Sequence, residues 1–145
     1  MSERRFPATV ATAGEAVAWA LAEAVGAGLS EERGFDLELS VEEVVVNVCL
    51  YAYGGREGDV LLRVGRSGDG LLVEVEDGGP SFDPRSVPPP DLSAPLEQRA
   101  IGGLGLHLVR NFTDGLDWRR EGERNVVTLV FADRRPAGDA PGEGP

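Results

Sequence analysis

Lysine is absent from this 145-residue chain, so all fourteen basic residues are arginine. That absence excludes several chemistries. A Walker-type phosphate loop needs a lysine after its glycines, a eukaryotic-type kinase needs one on a strand, and a Schiff-base enzyme needs one as nucleophile. The single cysteine, Cys49, rules out an intramolecular disulfide, fits a reducing cytoplasm, and reads as a small buried hydrophobe. The single histidine, His107, has no Cys/His/Asp cluster around it, so there is no zinc signature. No apolar run reaches membrane-spanning length, and the first twenty residues lack the pattern of a secretory signal. The net charge of −11 works against nucleic acid or an anionic membrane as partner, because both need a basic face.

What is present suits one domain with a sizeable core, at 41% hydrophobic residues. "RRFPATV" reads as a short edge strand. "ATAGEAVAWALAEAVGAG" reads as a helix in which Val17, Leu21 and Val25 recur every four residues, with glycines at its end. Ser30 reads as the N-cap of a second helix, with Glu31 and Glu32 at its positive end, running to about Tyr51 and stopping at Gly54 and Gly55. Val60, Leu62 and Val64 alternate in one strand and Leu71, Val73 and Val75 in the next, across the turn "GRSGDG". The Pro-rich stretch at 85–101 is too long for an ordinary connection in a compact domain, and such loops are usually functional lids or disordered. "GGLGLHLVRNF" opens another helix with Leu104, Leu108 and Phe112 on one face, and strands follow at 116–120 and 126–131. The expected fold is α+β: a two-layer α/β sandwich, with a mostly antiparallel sheet covered on one face by helices. Residues 1–132 form the domain, and 133–145 a disordered Pro/Gly-rich tail.

Three segments break the apolar pattern. Along "VEEVVVNVCLYAY" and the residues just before it, Leu39, Glu43, Asn47 and Tyr51 lie four apart and share one stripe of the helix, while Glu42 falls about 100° away and can face solvent. An isolated glutamate is ordinarily solvated. Here the surrounding valines leave little polar face, and a carboxamide one turn on is an oxygen ligand suited to a hard cation. In "LLVEVEDGGPSFDP", Asp77 continues the row of Leu71, Val73 and Val75 as a charge, able to accept a hydrogen bond from an exocyclic purine amine. Gly78 and Gly79 let a flat ligand approach the backbone, although an aspartate before glycines is also a common turn cap. In "IGGLGLHLV", glycines before a helix expose backbone N–H groups at its positive end, which is an anion site. The dinucleotide fingerprint fails there, since Leu108 occupies the third glycine's place and no strand precedes it.

In their order and spacing these segments resemble the GHKL ATPase superfamily. "EVVVN" looks like its N box, "DGGPSFDP" its first glycine box and "GGLGLHLV" its second. Within it, "AYGG" and "DLSAPLEQRAIGGLGLHLVRNFTDGLDWRREGERNVVTL" are similar to stand-alone anti-sigma factors with serine-kinase activity, over roughly residues 5–132. The resemblance implies an ATP–Mg²⁺ kinase that phosphorylates a serine of an anti-anti-sigma protein and alternately sequesters a sigma factor, as a cytoplasmic homodimer. It implies Glu43 as general base, Asn47 as Mg²⁺ ligand, Asp77 on the adenine amine and Gly79 shaping the pocket. Gly102, Gly103 and Gly105 would wrap the phosphates, Arg99 contact them from the lid, and Thr128 reach adenine from the last strand. Tyr51 stands where many relatives have histidine, and Ser81 where a further glycine often closes the first box. The alternatives are an ATP-gated binding module without transfer and the catalytic part of a histidine kinase. The latter would need a phospho-acceptor histidine outside the phosphate-binding helix.

Overall fold

The computed structural model describes residues 1–68, 70–86 and 103–133, the side chains at 103 and 104 excepted. Strands β1 (Ser2–Pro7), β2 (Asp59–Ser67), β3 (Gly70–Asp77), β4 (Gly115–Glu121) and β5 (Arg124–Ala132) form one sheet in the order β1-β2-β3-β5-β4, every pair antiparallel. Helices α1 (Val10–Gly26), α2 (Glu31–Tyr51) and α3 (Gly103–Phe112) supply the second layer. This is the expected two-layer α+β sandwich.

Period-two alternation decides which sheet face is covered. Val60, Leu62, Val64, Leu71, Val73, Val75, Val127, Leu129 and Phe131 point to the helices and are buried. The registers place Glu74 opposite Thr128 and Glu76 opposite Val126 on the other face. That face is laced by ion pairs, Arg124 to Glu76 at 2.5 Å, Arg63 to Glu76 at 3.0 Å and Arg119 to Glu74 at 3.0 Å. Charges paired in this way leave the face wettable.

The helices differ from expectation in which side chains they bury. In α1 the buried stripe is Ala13, Ala16, Val17, Ala20 and Ala24, while Val25 is 56% exposed. Alanines let the axis of α1 come close to its neighbours, so the small residues take the inner face. In α3 Leu106 and Val109 are buried, whereas Leu108 and Phe112 are only half-buried. Ser30 is the N-cap residue of α2 as expected, but its hydroxyl makes no cap bond and donates instead to the Asp133 carbonyl at 2.5 Å. The Asp133 carboxylate pairs with both terminal nitrogens of Arg66, at 2.7 and 2.8 Å. Asp133, one residue beyond the expected boundary at 132, is thereby tied to the start of α2 and to β2. Of the expected lid, only Arg85 and Ser86 are described, in a 3-10 turn at Pro84–Ser86; residues 87–101 and the tail from 134 lie outside the described residues.

Candidate functional site

Helix α2 crosses the sheet with Leu37, Val41, Val44, Val45 and Val48 buried beneath it. This leaves Glu43 and Asn47 on its flank, both half-buried, while Glu42 is exposed. Glu43 points at α3. A Cβ built on Gly105 would lie 1.7 Å from Glu43 Oε2 and 2.3 Å from its Cδ. The carboxylate therefore occupies the space that any side chain at 105 would need. Gly103 and Gly105 fall in the first turn of α3, not before it, so the N–H groups of that turn sit beside an acid. Burial, and then the neighbouring Glu42 carboxylate, hold the Glu43 carboxyl above its ordinary value of 4.5. One turn on, the Asn47 side chain meets no hydrogen-bonding partner among the described residues, so its amide oxygen is available to a ligand.

The end of β3 forms the second part. Asp77 is 6% exposed and faces the helices in line with Val75 and Val73. Its Oδ1 accepts from the Gly79 N–H at 2.8 Å and from Asn125 Nδ2 at 3.1 Å. Gly79 is required on steric grounds alone: a Cβ there would lie 2.6 Å from the Ala52 carbonyl oxygen, backbone against backbone. The first glycine segment is thus seated directly on the C-terminal end of α2. Tyr53 fastens the same junction, its hydroxyl accepting from the Gly78 N–H at 2.7 Å and donating to the Asp59 carbonyl at 2.5 Å. A cavity of about 460 Å³ borders this segment, lined by Ala52, Tyr53, Gly79, Pro80 and Arg120 among others; it does not include Glu43 or Asn47.

Two expected residues are not described, Arg99 and Gly102. A third, Thr128, is described and does not reach Asp77. It pairs with Glu74, faces the helix-free side of the sheet, and lies 3.4 Å from Arg119 Nη1. The β5 residue in register with Asp77 is Asn125, which sequence reading passed over. The signal was weak: a polar residue opposite Asp77 is recognisable only once strand pairing is known.

Among the described residues no three of His, Cys, Asp and Glu converge on a point where they could hold a metal. A divalent cation would have to share its coordination with ligand oxygens, and the lone amide oxygen of Asn47 fits that mode. No described helix is long and apolar enough to cross a membrane.

Comparison with known proteins agrees with this fold. Serine-protein kinase RsbW of a Bacillus cereus strain is 29% identical over 118 residues, covering 74% of this chain and 74% of that protein. The protein of the same name from Bacillus thuringiensis subsp. konkukian matches equally, at 29% over 118 residues. Among solved structures, the Acinetobacter baumannii histidine kinase AdeS shares the fold at a TM-score of 0.50, with 15% identity, over 93% of this chain and 69% of that one. Residues 6–131 match the family described as the histidine kinase-like ATPase domain. With nearly the whole described chain inside that match, this protein belongs to the histidine kinase-like ATPase domain family, the GHKL type of ATP-binding domain.

Proposed function

We propose that this protein is an anti-sigma regulatory factor that binds ATP with Mg²⁺ and phosphorylates a serine of an anti-anti-sigma protein, alternately sequestering a sigma factor. It acts as a cytoplasmic homodimer. The observation that carries the chemistry is the seating of the Glu43 carboxylate in the space that a side chain at Gly105 would fill. It sets a carboxylate with a raised pKa against the positive end of a helix, where phosphate oxygens are favoured.

The roles divide by place. Asp77 accepts a hydrogen bond from the adenine amine, and Gly79 keeps the pocket floor low. Gly102, Gly103 and Gly105 present backbone N–H groups to the phosphates, with Arg99 as a further cation. Asn47 would hold Mg²⁺, and the ion would supply neutralisation of the charge on the transferred group. Because phosphoryl transfer passes through a loose transition state, positioning and charge account for most of the rate. Glu43 takes the proton of the acceptor serine as its Oγ bonds to the γ-phosphorus and the bond to the departing ADP oxygen breaks. A base above 4.5 is better matched to neutral pH than an ordinary glutamate.

The test is transfer of labelled γ-phosphate to a purified anti-anti-sigma protein by wild type and Glu43→Gln. The variant is expected to keep its ADP affinity and to lose about 10²–10⁴-fold in transfer rate. Transfer at the wild-type rate would remove Glu43 as the base. ATP binding with no transfer by either protein would leave an ATP-gated binding module instead of a kinase.

A further inference from the structure

Asn125 is 2% exposed, and its carboxamide is bonded at both ends. Its Oδ1 accepts from the Trp118 indole N–H and from the Phe82 backbone N–H, each at 3.1 Å. Neither group can accept in return, so the carboxamide cannot turn over and its nitrogen must face Asp77. There Nδ2 lies 3.1 Å from Asp77 Oδ1 and 2.8 Å from the Pro80 carbonyl. The Gly79 N–H ends on the same carboxylate oxygen. Every hydrogen bond that Asp77 accepts from described residues therefore falls on Oδ1, and none on Oδ2.

We infer that Asn125, oriented by Trp118 and the Phe82 amide, is a specificity-setting positioning residue: it fixes Asp77 so that Oδ2 is offered to the base purely as an acceptor. The site then selects a purine carrying an exocyclic amine over one carrying an oxo group, which would set acceptor against acceptor. The inference rests on the nucleotide site proposed above and names what sets its base preference. A buried acceptor left without its donor costs enough for a preference of roughly ten- to a hundredfold.

Asn125→Asp separates this role from a merely structural one. The substitution keeps the size of the side chain and the acceptor for Trp118 and Phe82, but puts a second carboxyl oxygen about 3 Å from Asp77, a spacing at which two carboxyls share a proton. The charged and titratable groups around the pair are Arg120, which donates to the Gly79 carbonyl, Arg124 beside Gly78, and Tyr53 with its partner Asp59. Two carboxylates at that spacing repel in alkali, and in acid one proton between them can be donated as well as received.

The experiment is calorimetric titration of ATP and inosine triphosphate, both with Mg²⁺, into wild type, Asn125→Asp, Trp118→Phe and Asp77→Ala at mildly acid and mildly alkaline pH. Wild type is expected to prefer ATP at both. Asn125→Asp is expected to bind ATP weakly in alkali, to recover in acid, and to discriminate less there. Trp118→Phe, which removes one of the two orienting donors, is expected to narrow the preference by a smaller factor. Equal weakening toward both nucleotides, with selectivity and pH profile as in wild type, would overturn the inference while leaving the site in place. If wild type does not discriminate, or Asp77→Ala leaves both affinities unchanged, the underlying nucleotide site fails as well.

Discussion

Gly105 shows how one missing side chain defines a site. With its virtual Cβ 1.7 Å from Glu43 Oε2, Gly105→Ala must push the carboxylate aside. A displacement of that order is expected to lower transfer about 10²-fold, measured under saturating ATP so that weakened binding is set apart. Glu43 itself carries a pH signature. Its folded-state pKa is raised by burial and by Glu42, so the ionised form is the disfavoured one in the fold. At neutral pH Glu43→Gln is expected to melt higher than wild type, and that gain should vanish as pH falls below the ordinary value of 4.5, where both side chains are neutral. A melting temperature unchanged at neutral pH would mean the carboxylate is solvated. At this scale Glu43, Asn47 and Asp77 were legible in sequence because each interrupts an apolar periodicity. Asn125 was not, because its meaning lies in a partner 48 residues away.

Elements are held in register by buried polar links as well as by the core. Arg33, 3% exposed near the start of α2, lies 2.9 Å from Asp114 Oδ2, 3.6 Å from Asp36 Oδ2, and over the Phe131 ring at 5.8 Å. Asp114 also accepts from the Ala132 N–H at 2.8 Å, so one cation ties α2, the turn after α3 and the end of β5 together. Arg33→Met removes the cation and keeps much of the bulk; it is expected to cost about 3–5 kcal/mol in urea unfolding, because the buried Asp36 carboxylate loses a counter-charge. A cost under about 1 kcal/mol would show that the cluster is screened by solvent. Helix and strand placement was readable from periodicity, including the edge strand β1 and the α2 span. The inner faces of α1 and α3 were not. Periodicity marks several stripes in an Ala-rich helix as plausible, and only the neighbour's surface decides which is buried.

Over the whole molecule, acid and nucleotide are expected to act on stability in opposite directions. Burial by itself would raise Glu76, yet the guanidinium groups of Arg124 and Arg63 outweigh it and hold the carboxyl below 4.5. Arg85 lowers Asp83 and Arg66 lowers Asp133 in the same sense, from 3.8. Depressed carboxyls contribute stability that is present above their ordinary values and is lost as pH falls through the folded-state values. The melting temperature is therefore expected to drop as the solution is acidified below about 4.5. Nucleotide bound at the proposed site is expected to act the other way, by about 2.7 kcal/mol at a hundredfold excess over Kd. The most direct measurement of the proposed site is calorimetry of Mg-ADP with wild type, Asp77→Ala and Asn47→Ala. The expected result is clear binding by wild type, none by Asp77→Ala, and binding indifferent to Mg²⁺ by Asn47→Ala. Equal, Mg²⁺-dependent affinity in all three would contradict a nucleotide site between α2, α3 and the end of β3.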